Sequence, residues 1–298
     1  MNLWNSQEKQ IFDYLNFFGL KEPPFSLTPD PNYFFPSSTH IKVIEVLKYG
    51  FLKKEGFMVL TGEPGLGKTL LIKLLLNLLP ESYYTLFLLT PTLSPNELII
   101  TISQKLKFIS EKENPPSKET LLNLLQKYLE QLEKENKTLL IIIDEAQNLP
   151  IETLEELRLL SNFETERNKL IQFFLVGQPL LTTKLKNYRL YQLSQRITIW
   201  ENITPFNQEE TAEYVRFRLF KAGYPVISFE RGFEKLLYKF TQGIPRLINK
   251  LMDRTLLVAY AEKSQKIKKK HLKTAKRSFP DEVFPLKSNK NWLKFWKR

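Results

Sequence analysis

The chain has 298 residues, 42% of them hydrophobic, enough for one large domain or two with a proper core. It has no cysteine, which excludes disulfides, thiol nucleophiles and cysteine-ligated zinc, and its two histidines, His40 and His271, lie far apart and offer no metal cluster. The net charge of +12 is concentrated at one end, because residues 263–298 hold 13 Lys/Arg against two Asp/Glu while residues 1–262 are close to neutral.

Residues 1–10 lack the basic-then-apolar pattern of a signal peptide. No run approaches the ~18 apolar residues that span a bilayer. The expectation is a cytoplasmic protein without a transmembrane span. In chain order, residues 7–18 read as a helix with Ile11, Tyr14, Leu15 and Phe18 on one side. Five prolines forbid regular structure across 19–38, while Phe25, Tyr33, Phe34 and Phe35 suggest that this loop packs down. A helix is expected over 39–54, then a short buried strand, Phe57-Met58-Val59-Leu60.

That strand runs into Gly62-Glu63-Pro64-Gly65-Leu66-Gly67-Lys68-Thr69, which fits G-x-x-x-x-G-K-S/T, the phosphate-binding P-loop. Three of the chain's ten glycines fall in this stretch. Glycine admits positive φ, so the loop can wrap and aim successive backbone N–H groups at one anion. The following helix adds its N-terminal partial charge. Lys68 would reach the β- and γ-phosphates of ATP, and the Thr69 hydroxyl would ligate Mg²⁺.

A mostly buried helix over 70–79 follows, stopped at Pro80, then a second strand over 84–90. Amphipathic helices are expected near 95–109 and 117–135. Residues 138–143, Thr-Leu-Leu-Ile-Ile-Ile, form a continuous apolar run, as in a strand covered on both faces of a parallel sheet. The run ends in Asp144-Glu145-Ala146-Gln147. A carboxylate at the carboxyl end of such a strand sits at the rim where open α/β sheets bind ligands. Asp144 would hold Mg²⁺, directly or through water, and Glu145 would activate the attacking water as general base. An acidic pair after a strand can also cap the next helix; the upstream P-loop favours catalysis.

A helix over 151–165 and a strand over 170–176 come next, the strand ending at Gly177-Gln178. A short helical stretch leads to Gln195-Arg196, and the alternation of 196–201 reads as a fifth strand. From Pro205 the pattern is helical only, near 207–222, 229–240, 245–262 and 268–277. Alternating strands and helices give a parallel sheet with right-handed crossovers. The expected fold is therefore α/β, a five-stranded P-loop core followed by a small all-helical lid. The expected division is 1–38 for the N-terminal helix and proline-rich loop, 39–204 for the core, 205–277 for the lid and 278–298 for a basic, aromatic tail.

Several segments are specific enough in combination to carry a resemblance. They are the proline-rich run 18–31, the P-loop, Ile143-Asp144-Glu145-Ala146-Gln147, Leu175-Val176-Gly177-Gln178-Pro179, Ser194-Gln195-Arg196-Ile197, and Gly243-Ile244-Pro245-Arg246-Leu247-Ile248-Asn249. On them the chain, from about residue 15 to 277, resembles AAA+ ATPases of the general secretion pathway protein A (ExeA-like) family, which is similar to the transposition-type AAA+ ATPases that bind DNA. The resemblance implies a Mg²⁺-dependent ATPase coupling hydrolysis to assembly or remodelling of an envelope secretion or pilus component. The alternative it leaves open is an ATP-dependent DNA-binding protein of the transposition-regulator type.

The resemblance also implies site residues. Gln178 matches the polar sensor position beside the γ-phosphate. Arg196 matches the arginine finger that acts across a subunit boundary, with Arg189 as a competitor. Arg246 matches the second sensor, which contacts nucleotide and couples its loss to lid movement. The proline-rich loop would fold over the adenine side. A finger acting in trans implies a homo-oligomer, ring or filament, when ATP is bound.

Many secretion-type members continue into a membrane span and a cell-wall-binding domain, whereas this sequence ends on residues 290–298, Lys-Asn-Trp-Leu-Lys-Phe-Trp-Lys-Arg. Trp292, Phe295 and Trp296 share one helical face with lysines interleaved. Such a segment could lie peripherally on the inner membrane, stack on nucleic acid or stay solvated. The basic 263–277 segment could contact DNA, although the neutral body argues against extensive wrapping.

Overall fold

The computed structural model describes residues 13–89, 92–110, 114–164, 169–223 and 225–284. The first half of the helix expected over 7–18 and the aromatic tail 290–298 lie outside these residues; 13–18 are helical.

The apolar runs become the strands of one sheet: β1 (Phe57–Gly62), β2 (Tyr83–Leu89), β3 (Thr138–Asp144), β4 (Ile171–Gly177) and β5 (Ile197–Ile203). The sheet order is β2-β3-β4-β1-β5, with every pairing parallel. Every residue of β1, β3 and β4 is buried, as expected of strands covered on both faces. The register places Thr61 opposite Gly177 and Leu89 opposite Asp144, so the loops that follow the strands leave from a common edge.

The helices of this unit are α1 (Ser38–Leu52), α2 (Lys68–Leu78), α3 (Pro95–Lys105), α4 (Lys118–Lys134), α5 (Ile151–Leu160), α6 (Pro179–Leu185) and α7 (Tyr191–Arg196). Ser94 and Glu97 form a reciprocal capping box at the start of α3. That helix stops short of residue 109 because Lys107 takes the left-handed conformation at φ 63°. Helix α5 likewise ends at Leu160 rather than 165, where Ser161 and Asn162 turn the chain. Phe57 and Val59 of β1 and mainly leucines and isoleucines of β2–β4 and α3–α7 form a continuous core.

A second unit collects the described residues of Met1–Ser37 and Pro205–Arg298, together with Gly65–Gly67. Its helices are α8 (Gln208–Lys221), α9 (Phe233–Thr241), α10 (Pro245–Ala261) and α11 (Lys269–Arg277). The helical pattern is interrupted once, by a parallel pair of two-residue strands, β6 (Ser228–Phe229) and β7 (Lys266–Ile267). Two residues are too few to carry a period, which is why the sequence reads as helical throughout.

The proline-rich loop belongs to this second unit, and a buried arginine fastens it. Arg218 of α8 is 6% exposed, and its guanidinium donates to the carbonyls of Pro24 (2.5 Å) and Ser26 (3.1 Å). The same guanidinium lies 4.3 Å over the ring of Tyr33, whose hydroxyl donates to Glu22 (2.6 Å). Asn249 of α10 donates to the Ser26 carbonyl (3.4 Å) and accepts from Tyr214 (2.9 Å). Prolines leave a loop few backbone donors of its own, so its carbonyls take their partners from side chains. Arg218→Met keeps the apolar stem and removes every donor. It is expected to destabilise the protein by about 3 kcal/mol, read by denaturant unfolding, because charged hydrogen bonds are lost and the buried Pro24 carbonyl loses its donor. Unchanged stability would contradict this account of the loop.

Candidate active site

Strand β1 delivers the chain into the P-loop, and α2 begins at Lys68. Gly65 sits at φ 84°, a conformation that side chains rarely adopt, and a Cβ there would come within 2.7 Å of the Cβ of Arg246. The Arg246 backbone N–H donates to the Gly65 carbonyl at 3.2 Å. Lys68 is 7% exposed, and its ammonium donates to the carbonyls of Gly62 (2.8 Å) and Glu63 (3.1 Å). Burial pulls the Lys68 pKa down, and the nearby carboxylates of Glu145, Asp144 and Glu63 oppose that shift. Burial also pushes the Glu63 carboxyl up, against the pull of Lys68.

Thr69 and Asp144, 75 residues apart in sequence, meet: the Thr69 hydroxyl donates to Oδ2 of Asp144 at 3.1 Å. Strand β4 lies between β3 and β1 in the sheet, so this contact reaches across the end of β4. The other oxygen of Asp144 accepts the Glu145 backbone N–H at 2.8 Å. A hydroxyl beside a carboxylate is an all-oxygen donor pair, which suits a hard cation such as Mg²⁺. Among the described residues no group of three or more His, Cys, Asp or Glu could hold a metal ion. A Mg²⁺ ion binds with few protein ligands, keeping waters and substrate phosphates as the remainder, so these two residues fit it.

Glu145 is itself unusual, with φ 54° and ψ 34°, left-handed for a residue with a full side chain. Its Oε2 accepts from the side-chain amides of Gln147 (2.6 Å) and Gln178 (3.2 Å). Lys68, Thr69, Asp144, Glu145 and Gln178 thus lie on one edge, linked in part by direct hydrogen bonds. In the sequence Gln147 is visible only as the last residue of Asp144-Glu145-Ala146-Gln147, with no role of its own. Its neighbour Gly177 carries the missing signal, because a Cβ at Gly177 would fall 2.6 Å from Oε1 of Gln147.

The two arginines considered for action in trans are engaged elsewhere. Arg196 ends α7, and its Nη1 donates to the Arg158 carbonyl (3.1 Å), Ser161 Oγ (2.5 Å) and Asn162 Oδ1 (2.7 Å). All three acceptors cluster at the carboxyl end of α5. Arg189 is exposed and pairs with Glu152 at 2.9 Å.

Residues 52–185 match the family model described as the AAA domain. The chain is 39% identical over 254 residues to general secretion pathway protein A of Aeromonas hydrophila, a match covering 85% of this chain and 46% of that protein. The chain has the AAA+ P-loop fold, with an AAA domain over residues 52–185. It spans about half the length of the curated relative it matches. Among solved structures it is similar to the Aeropyrum pernix ORC2 protein in ADPNP–ADP complexes, at 16% identity and a TM-score of 0.61 over 86% of this chain and 72% of that one. It is also similar to Cdc6p from Pyrobaculum aerophilum, at 16% identity and a TM-score of 0.62 over 87% and 72% of the two chains. A third is Drosophila ORC bound to DNA, at 17% identity and a TM-score of 0.58 over 87% and 65%. These likenesses establish the shared fold.

Within this AAA+ core Arg196 has an evident structural task, since the last carbonyls of a helix need donors and a cation there suits the helix dipole. Arg196→Ala is expected to lower stability by about 1–3 kcal/mol, measured by urea unfolding of the protein without nucleotide. A variant as stable as the parent would contradict the capping role.

Proposed function

We propose that this chain hydrolyses ATP in a Mg²⁺-dependent reaction and uses the turnover to drive assembly or remodelling of an envelope secretion or pilus component. The observation that carries the reading is the Thr69–Asp144 hydrogen bond beside a Glu145 carboxylate held by Gln178, at the edge where the P-loop leaves the sheet. In this reading backbone N–H groups of residues 62–69 cradle the phosphates and Lys68 neutralises the β- and γ-oxygens. Thr69 and Asp144 hold Mg²⁺, which supplies charge neutralisation on the phosphates. Glu145 takes a proton from the attacking water as its oxygen bonds to the γ-phosphorus and the bond to the ADP oxygen breaks. Gln178 orients that carboxylate and faces the terminal phosphate. Arg246, whose backbone already bonds to Gly65, serves as the second sensor.

ATP as the nucleotide is supported by the ORC2 neighbour, which was solved with ADPNP and ADP. The secretion role is supported by the 39% identical relative, itself named for the general secretion pathway. Among the described residues no helix is long and apolar enough to cross a membrane. We take the acting form to be a homo-oligomer in which an arginine reaches the neighbouring site. Arg189 now competes strongly for that role with Arg196: an exposed ion pair such as Arg189–Glu152 costs little to open, whereas Arg196 would have to leave three acceptors.

A DNA-directed reading has one observation in its favour. Helix α11 presents Lys270, Lys273 and Arg277 as exposed cations beside exposed Lys263 and Lys266. Glu230 and Glu262 offset part of that charge. Stimulation of ATPase activity by duplex DNA, falling steeply with salt, would favour this reading; stimulation by anionic liposomes alone favours the envelope role.

The reaction is tested by two substitutions. Lys68→Ala is expected to abolish ATP binding or turnover. Glu145→Gln is expected to bind ATP and hydrolyse it at least ~10²-fold more slowly, the scale of a lost general base. Hydrolysis at the parental rate by Glu145→Gln, followed by phosphate release, would contradict the assignment.

A further inference from the structure

We propose that Gln147 is a positioning residue for the water-activating carboxylate and that it ties this carboxylate to the end of β4. The proposal rests on the reading of Glu145 as general base. Gln147 lies in the 3₁₀ turn Ala146–Asn148 and is 4% exposed. A buried primary amide needs partners for both of its ends. The Gln147 amide has them: Oε1 accepts the Gln178 backbone N–H at 2.9 Å, and Nε2 donates to Glu145 Oε2 at 2.6 Å. Its orientation follows from chemistry, because a backbone N–H can only donate. The amide oxygen must therefore face Gln178, which turns the NH₂ toward the carboxylate.

Three further features fix this bridge. Lys184 of α6 donates to the carbonyls of Gln147 (2.5 Å) and Leu149 (2.7 Å), pinning the turn that carries the amide. Gly177 leaves the room that Oε1 occupies, since a methyl group there would stand 2.6 Å from it. The Gln178 side chain adds a second donor to the same Oε2 of Glu145 at 3.2 Å. Both amides therefore hold Oε2, and Oε1 is the oxygen that receives the proton. Because Gln178 contacts Gln147 through its backbone and Glu145 through its side chain, a shift of Gln178 toward the terminal phosphate moves the base with it. Gln147 converts nucleotide sensing at the end of β4 into placement of the carboxylate.

The test uses the full chain and four variants, Gln147→Leu, Gln147→Glu, Glu145→Gln and the double variant Glu145→Gln/Gln147→Leu. Fluorescent-nucleotide titration reads ATP binding, and single-turnover hydrolysis with Mg²⁺ reads the chemical step. Gln147→Leu fills the same space without hydrogen bonds. It is expected to bind ATP as the parent does and to hydrolyse it ~10²-fold more slowly, the scale of a misplaced reacting group. Gln147→Glu keeps an acceptor for Gln178 and sets a second carboxylate against Glu145, and it is expected to be at least as slow. The double variant is expected to be no slower than Glu145→Gln, because Gln147 acts only through that carboxylate. Parental rates for both Gln147 variants beside a slow Glu145→Gln would overturn the role of Gln147 alone. A double variant slowed by the full additional factor would overturn it too, as damage unrelated to the base. Parental hydrolysis by Glu145→Gln would overturn the base reading and this proposal together. If Gln147→Leu does not fold, the Gln147→Glu rate with and without Glu145→Gln decides the same question.

Discussion

The site depends on one constraint: all strands of the sheet run the same way, so every strand's carboxyl end reaches the same edge. Parallel pairing is what lets residues 75 positions apart, Thr69 after β1 and Asp144 at the end of β3, share a hydrogen bond. The intervening strand must then end without obstructing them. Strand β4 ends in Gly177, where a Cβ would stand 2.6 Å from Oε1 of Gln147 and 3.0 Å from the Leu181 side chain. An antiparallel neighbour at any of these positions would send its carboxyl end to the opposite edge and dismantle the cluster.

Within that frame the chemistry is set by a few buried polar contacts. Lys68 and Asp144 are 7% and 4% exposed, and groups so buried hold charge only where partners are arranged around them. The carbonyls of Gly62 and Glu63 and the carboxylates of Asp144 and Glu145 provide those partners. The left-handed Glu145 backbone is a local strain of order 1–3 kcal/mol, sustained by the strand before it and the 3₁₀ turn after it. Its effect is to turn the carboxylate onto the amides of Gln147 and Gln178 rather than along the strand. The second unit uses a comparable device for a different end, where Arg218 satisfies loop carbonyls that prolines cannot pair.

Much of this is legible in the sequence, for physical reasons that differ by element. Strand β3 reads clearly because burial on both faces leaves an unbroken apolar run, and in β4 the run is broken only by the buried Gln172. Lys68, Thr69, Asp144 and Glu145 can be picked out by their motifs, a glycine-spaced loop that opens α2 and an acidic pair where β3 ends. Helix ends read less well: α3 stops where Lys107 adopts positive φ, and nothing in a lysine announces that. The pair β6–β7 is too short for any periodicity. Arg196 stands out by its motif, but its acceptors lie 34 to 38 residues away, so its capping of α5 belongs to tertiary structure. Gln147 is hidden because its importance depends on the absence of a side chain 30 positions later, at Gly177.

The most direct measurement is the ATP affinity of the protein with and without Mg²⁺, compared with that of Thr69→Val, which keeps the shape of the side chain and removes its hydroxyl. If Thr69 and Asp144 together hold the ion, Mg²⁺ tightens ATP binding by the parent, and Thr69→Val loses most of that gain while its Mg²⁺-free binding persists. An equal response to Mg²⁺ in the two proteins would contradict the account.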